Sequence, residues 1–152
     1  MNVAYINPFI NATAACFKNM VFVEAKQGTP QIKKEPYPRY DISGIIGLSG
    51  GAQGSISLCF PMQSALDIVS KMIGAPITEP GTDLADAVGE IANIIAGFAK
   101  RDLVGLNLSI SLPNVIISNH VLSGMSGVGT IIVPFTCPLG PFAMEVSLKT
   151  AS

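Results

Sequence analysis

Charged residues are scarce in this 152-residue chain. Asp, Glu, Lys and Arg make up 12% of it and hydrophobic residues 49%, which is apolar for a soluble domain of average composition. The formal net charge is −1, so the sequence predicts no general attraction to nucleic acid or to an anionic membrane. The length suits one ordinary domain with its own core, and we expect a single domain over residues 1–152.

Long apolar runs are absent as well. No uninterrupted run approaches the ~18–20 residues that a membrane-spanning helix needs. The N-terminus has no basic residue before Lys18, and Asn and Pro interrupt its apolar stretch, which makes it a poor secretory signal peptide. We therefore expect a cytoplasmic protein.

Cysteine and histidine are too few and too scattered to predict a metal site. Cys16, Cys59 and Cys137 are widely spaced and match no metal-binding pattern, so we expect small buried thiols. His120 is the only histidine, and no acidic or cysteine partner lies in the same motif. Packing at an edge or in a loop is favoured over catalysis.

Two long stretches lack Asp, Glu, Lys and Arg altogether. They run from Ile42 to Leu66 and from Leu103 to Met144. Strands buried on both faces or at a subunit interface would explain them, whereas exposed strands of a monomer would not. The sequence therefore predicts a homo-oligomer.

The first half of the chain predicts one helix followed by strands. Apolar residues in 5–20 recur with helical spacing, and 21–28 alternates like a strand. The segment 29–38 is basic, rich in proline and typical of a loop. Residues 40–49 and 54–60 have β-type composition, and the sequence GGAQ between them predicts a hairpin whose turn needs the positive φ of glycine.

The second half predicts two helices followed by further strands. One helix is expected from Pro61 to Gly74 with an apolar face of Leu66, Val69 and Ile73. Another should begin with Thr82 as its cap and run to about Val104. Because the rest is β-rich and interrupted by Pro and Gly, we predict an α+β fold with helices packed on an antiparallel sheet.

The long second helix separates into two faces at about 100° per residue. One side is apolar and should pack on the sheet: Leu84, Val88, Ile91, Ala92, Ile95 and Ala99. The other side is polar or open: Asp83, Asp86, Glu90, Asn93, Gly97 and Arg101.

Glu90 and Asn93 are neighbours on the polar side, roughly 60° apart and one turn displaced. A solvated face is the simpler interpretation of the pair alone. Gly89 and Gly97 count against it, because each costs about 1 kcal/mol relative to alanine within a helix. We interpret the glycines as a sign that a partner approaches closely, with Gly97 clearing space beside the Asn93 amide.

The chemistry open to this pair is narrow. Asn does not titrate, so the pair is no acid/base couple, and one acid is too few for a dedicated metal cage. An amide can hold a water without adding negative charge near an anionic substrate. A carboxylate can pair with a lysine of a partner. The combination suits hydrolysis of a phosphoryl group whose metal belongs to the partner.

The residues from about Ile45 to Phe98 resemble the CheX-type chemotaxis phosphatases, which are relatives of CheC and FliY. The likeness rests on "IIGLSGGAQGSISLCFPMQSALDIVSKMIGAPI" and "DLADAVGEIANIIAGFA" and continues weakly through "VIISNHVLSGMSGVGTIIVPF". The family motif is an acid or Ser, three residues, Glu, two residues, Asn. Asp86, Glu90 and Asn93 match it.

The resemblance implies dephosphorylation of the response regulator CheY in two-component signalling. Asn93 would orient the attacking water and Glu90 would pair with a regulator lysine. We expect Asp86, from the motif, and Gly97, from the helix face, at the same contact. The regulator would supply the phosphoaspartate and the magnesium. CheC-like members carry the motif twice, whereas this chain shows it once, which favours the CheX type, whose members are dimers joined through their sheets.

Two alternatives stay open at this point. The chain could bind a response regulator without hydrolysis, or serve as a structural dimer in a flagellar or signalling assembly. A small-molecule pocket has no positive support in the sequence. The segment 26–40 matches no part of the family pattern, so its role is open.

Overall fold

One antiparallel sheet carries a layer of helices, which confirms the predicted α+β class. The computed structural model describes residues 3–124 and 127–150. The α-helices are α1 (Asn7–Cys16), α2 (Met62–Ile73) and α3 (Thr82–Asp102). A π-helical turn at Phe17–Val21 extends α1, and 3₁₀ turns lie at Val3–Tyr5 and Val104–Leu106.

Eight strands of the described chain form the sheet. They are β1 (Lys26–Gln27), β2 (Gln31–Ile32), β3 (Tyr40–Gly50), β4 (Ala52–Phe60), β5 (Leu108–Ile110), β6 (Asn114–His120), β7 (Thr130–Cys137) and β8 (Gly140–Thr150). Their spatial order is β1-β7-β8-β4-β3-β5, with β2 also paired to β7 and β6 to β3. Every pairing is antiparallel.

The predicted hairpin forms between β3 and β4. Leu48 pairs with Gly54 beside the turn, and Gly50 within it has φ +102. Residues with a side chain rarely adopt that conformation, which is why the turn contains glycine.

Side chains alternate between the two faces of the sheet. On β3, Ile42 and Ile46 belong to the core beneath the helices, whereas Ser43 and Ile45 point to the outer face. Stacked aromatic rings pack between the helical layer and the sheet. The ring centroids of Phe17 and Phe142 are 4.5 Å apart. The fully buried large side chains are Phe9, Phe17, Phe60, Phe135, Ile42, Ile46, Ile56, Leu58, Ile68, Leu84, Ile91 and Ile95.

The strand predicted over 21–28 is wrong except at Lys26–Gln27, which pair with β7. The helical conformation continues through Val21, and Phe22 then adopts a left-handed conformation with φ +63. The helical turn therefore ends where the alternating pattern predicted a strand, and the Phe22 side chain is 68% exposed.

The segment 26–40 contains β1 and β2, which pair with β7 at the edge of the sheet. Residues 29–38 were predicted as a loop, and Lys33 among them reaches the outer face of the sheet. Lys33 forms an ion pair with Glu145 at 2.6 Å, and both side chains are only 4% exposed. The Lys33 ammonium also donates to the Leu122 carbonyl, and the Tyr40 hydroxyl donates to Glu145 at 2.7 Å. Part of the outer face of the sheet is thus covered by the chain itself.

Both later helices differ from prediction at their ends. Ile73 of α2 is 47% exposed rather than buried, whereas Leu66 and Val69 are buried as predicted. Ala65 and Ile68 are buried with them. Gly81 holds the capping position of α3, so Thr82 is its first residue and forms no capping hydrogen bond. No helix in the described ranges combines the length and the apolar character that crossing a membrane requires.

Candidate functional site

Helix α3 is held rigidly by its apolar side, as predicted. Leu84, Val88, Ile91, Ala92, Ile95 and Ala99 are all fully buried. The helix lies close to β3 at Gly44, where an added Cβ would sit 3.1 Å from Val88 Cγ1 and 3.3 Å from Ala92 Cβ. This close packing fixes the direction in which the opposite side of α3 faces.

The opposite side presents the predicted polar residues to solvent. Asp86, Glu90 and Asn93 are exposed, and Gly97 is half-buried. Within residues 3–124 and 127–150, none of the three polar side chains forms a hydrogen bond or an ion pair. Glu90 and Asn93 are displaced by about 4.5 Å along the helix axis. Both groups are therefore adjacent and available to a partner.

Glu90 influences one buried group of the neighbouring helix. Burial, and after it the Glu90 charge, raises the pKa of the Cys16 thiol to about 12. Cys16 is therefore a neutral thiol at physiological pH, and the nucleophilic form of cysteine is the thiolate. The site offers no cysteine nucleophile beside Glu90.

The two glycines of α3 lie in different surroundings. The interpretation of both as signs of a closely approaching partner is wrong for Gly89. Gly89 is buried, and a Cβ there would sit 3.3 Å from Pro113 Cγ and 3.4 Å from Val115 Cγ2. Close packing of α3 against β6 therefore explains Gly89 without any partner. A Cβ added at Gly97 would meet no packing neighbour within 4 Å among residues 3–124 and 127–150, so packing within the described chain does not explain this glycine.

The other candidate residues lie away from this helix face. His120 ends β6 and packs at the sheet, with Nε2 2.8 Å from Ser43 Oγ and Nδ1 2.5 Å from the Ser118 carbonyl. Cys59 is buried and Cys137 half-buried. Burial raises the pKa of the Cys59 thiol. Among the described residues, no three His, Cys, Asp or Glu side chains group as metal ligands.

Sequence reasoning missed a groove that begins at Gly97. It has a volume of about 400 Å³, and its walls include Lys100, Arg101, Val104 and Asn107. Only Gly97 and Arg101 were placed on the polar face by helical periodicity. Lys100 also belongs to α3, and the remaining walls come from the chain after α3, whose path the local pattern does not predict.

The comparisons with known proteins agree on one family. The model of the family described as chemotaxis phosphatase CheX matches residues 42–136, a stretch that contains α3. A CheY-P phosphatase CheX of Thermotoga maritima is 28% identical over 119 residues, which are 76% of this chain and 77% of the relative.

Solved structures match nearly the whole chain. A CheC-like superfamily protein from Shewanella sp. PV-4 has a TM-score of 0.90 and 33% identity, over 98% of this chain and 99% of that chain. The crystal structure of a CheX–CheY–BeF₃–Mg²⁺ complex from Borrelia burgdorferi contains a chain with a TM-score of 0.83 and 26% identity, over 95% of this chain and 97% of that chain.

Proposed function

This chain belongs to the CheX family of chemotaxis phosphatases, and on that premise we propose that it hydrolyses the phosphoaspartate of a CheY-like response regulator. Asn93 orients the attacking water, and Glu90 docks a lysine of the regulator. Asp86 and Gly97 contribute to the same contact. The observation that carries the proposal is that Glu90 and Asn93 are exposed on a helix packed by its other side, with no hydrogen-bonding or ionic partner among the described residues.

The reaction transfers the phosphoryl group from the aspartate to water. The water oxygen attacks phosphorus in line, the bond from phosphorus to the aspartate oxygen breaks, and the products are inorganic phosphate and the free carboxylate. The Asn93 amide accepts a hydrogen bond from the water and holds its lone pair towards phosphorus. Because the amide is neutral, it adds no repulsion towards the anionic phosphoryl group.

Glu90 acts on binding in this proposal. Its carboxylate points to solvent one turn from Asn93, where it can pair with a cation that lies beside the phosphorylation site. Such a pair places the phosphoryl group over Asn93. Asp86, one turn before Glu90 on the same side, adds negative charge to that end of the contact.

We propose no cofactor of the chain's own. The magnesium would belong to the regulator, where carboxylates and phosphoryl oxygens are suitable ligands. The Borrelia burgdorferi complex contains CheX, CheY, Mg²⁺ and BeF₃, and BeF₃ mimics a phosphoryl group on a carboxylate. That composition supports a division in which the regulator supplies the metal.

The proposal also includes a cytoplasmic homodimer.

The alternative is a regulator-binding or scaffold dimer that does not hydrolyse. A single-turnover assay distinguishes the two. Phosphate release from a phosphorylated CheY-like regulator is followed with the regulator alone and with saturating wild-type protein. A phosphatase accelerates the decay, and removing magnesium with a chelator abolishes the acceleration. Binding without accelerated phosphate release would favour the scaffold.

A further inference from the structure

The exposed side of α3 changes charge along its length. Its first half carries Asp83, Asp86 and Glu90, and its last turn carries Lys100 and Arg101. Asp102 ends the helix about 100° around the axis from Arg101 and is not a wall of the groove. Between these ends lie the neutral positions 93 and 97. We call this exposed side, from Asp83 to Arg101, the stripe. A partner that covers the whole stripe therefore meets negative charge at one end and positive charge at the other.

The positive end opens into the groove that begins at Gly97. Val104 on its wall is 78% exposed, although an apolar side chain gains free energy when it leaves water. Asn107, also on the wall, has φ +49. The groove thus combines two cations, an amide and an exposed apolar side chain within about 400 Å³.

Arg101 is positioned before any partner binds. Its guanidinium carbon lies 5.2 Å from the centroid of the Phe98 ring, within the range of a cation–π contact. Fixing the side chain in advance lowers the entropy lost on binding. Attraction to the negative end of the helix dipole accounts for basic residues in a last turn, but it does not account for the groove or for the exposed Val104.

Resting on the proposed function, we propose that this groove is a second docking site, which takes an acidic side chain from the regulator surface beside its phosphoaspartate. Arg101 lies about 12 Å from Asn93 along the helix axis. A regulator whose phosphoryl group sits over Asn93 therefore also covers the groove. Val104 contacts the apolar stem of the acidic side chain, and Arg101 and Lys100 pair with its carboxylate.

The two ends of the stripe together set the orientation of the regulator. Glu90 takes a cation on one side of the phosphoryl group, and the groove takes an anion on the other. A regulator turned end for end would place like charges against both, which disfavours that orientation. The groove thereby selects regulators with an acid on the correct side.

Charge reversal in the groove tests the proposal. Arg101→Glu should weaken binding of the beryllofluoride-activated regulator about tenfold at low salt, since it replaces an attraction with a repulsion. The loss should shrink at high salt. Val104→Glu, which leaves the Arg101–Phe98 contact in place, should also weaken binding.

Lys71→Glu is the matched control, because Lys71 is an exposed cation in the last turn of α2 and lies outside the groove. It should leave binding unchanged. Equal losses for Lys71→Glu and Arg101→Glu, or wild-type binding by both groove variants, would overturn the proposal. A wild-type protein that binds the regulator but does not hydrolyse it would instead end the phosphatase proposal, while groove-dependent binding would keep the docking site.

Discussion

Asn93 and Glu90 are neighbours on α3, but their proposed roles divide between the chemical step and binding. Neither side chain contributes to the core, and neither forms a hydrogen bond or ion pair with the described residues. Substitutions at both positions should therefore preserve the fold. The effects of these substitutions on binding and hydrolysis can therefore be measured without a change in the stability of the protein.

Replacing Asn93 should slow hydrolysis without preventing binding. Asn93→Ala removes the amide that positions the water, and losing one preorganised polar group costs on the order of 10²–10³ in rate at other hydrolytic sites. Asn93→Asp keeps the size but brings a negative charge towards an anionic group, so it should be no better than alanine. Single-turnover decay with saturating variant measures the step. Hydrolysis at the wild-type rate by Asn93→Ala would show that this residue is not catalytic.

Replacing Glu90 should weaken docking instead. An exposed ion pair contributes about 1 kcal/mol or less, so Glu90→Ala should raise the dissociation constant by up to roughly fivefold. High salt should reduce wild-type binding towards that of the variant. Titration calorimetry at two salt concentrations measures both effects. Glu79→Ala, at an exposed acid outside α3, is the control, and equal binding by wild type and Glu90→Ala at low salt would refute the docking role.

Helix α3 shows that two glycines in one element can have unrelated causes. At Gly97 the methyl group of an alanine would meet no described residue within 4 Å outside its own helix turn. Gly97→Ala should therefore raise the free energy of unfolding by about 1 kcal/mol through helix propensity alone. The same methyl group should obstruct a regulator docked there and weaken its binding. Urea denaturation of Gly97→Ala measures its stability, which should rise. Calorimetry of the same variant measures its affinity for the regulator, which should fall.

Gly89→Ala provides the comparison for that test. Its methyl group would lie 3.3 Å from Pro113 Cγ, so α3 and β6 would have to separate slightly and the gain in stability should be smaller than at position 97. Regulator binding should not change through direct contact, because position 89 is buried. If Gly97→Ala binds as tightly as wild type, the glycine does not make room for the regulator.

Helix α2 takes its cap from a distant strand. Pro61 at its start has no side-chain hydrogen bond to offer, and the Met62 amide donates instead to Asp41 Oδ2 at 2.8 Å. That hydrogen bond, followed by one from Asn119, holds the pKa of Asp41 below its ordinary value of 3.8. A carboxylate at a helix N-terminus is also favoured by the helix dipole.

The cap should make the stability of the protein depend on acidic pH. A lowered pKa means that the contribution is present above about pH 4 and is lost as the pH falls through the folded-state value. Asp41→Asn keeps an acceptor but removes the charge, so it should cost roughly 0.5 kcal/mol at pH 7, because Asp41 is screened by solvent. Urea denaturation at pH 7 and pH 3 should show a smaller difference at pH 3. An equal difference at both values would exclude a role for the charge.

At the scale of the whole molecule, the outer face of the sheet is only partly covered. The segment 26–40 covers one side of it through Lys33 and Glu145. Ile45 and Ile116 also point outward and are only half-buried. Homodimerisation through the sheet is a prediction from the charge-free strands, and these isoleucines are the residues that such a contact would bury.

Placing a charge at this face should break the dimer. Ile45→Lys puts an ammonium among Ser57 and Asn114, its neighbours in the ladder, where burial in a dimer would leave it unpaired. A charge at Ile132 is a weaker test, because Ile132 lies opposite Glu145 and a lysine there could pair with it. Sedimentation velocity at tens of micromolar should show a wild-type dimer and a variant monomer. A wild-type monomer under these conditions would contradict the prediction.

Local periodicity by itself determined the fold class, the hairpin and the faces of α3. Those features depend on residues a few positions apart, whose relative directions follow from helix and strand geometry. The same regularity placed Asp86, Glu90 and Asn93 together on one exposed side. The family motif then added a chemical hypothesis to a surface that periodicity had already defined.

Only the tertiary structure decided what each of these residues meets. Lys33 and Glu145 pair across 112 positions of sequence, and Asp41 caps a helix that begins 21 positions later. Gly89 and Gly97 lower the stability of an isolated helix equally. In the described structure, however, Gly89 faces β6, whereas Gly97 faces open space. The groove likewise depends on the path that the chain takes after α3. Contacts between distant segments form when elements pack, and no local pattern specifies which partner the packing brings.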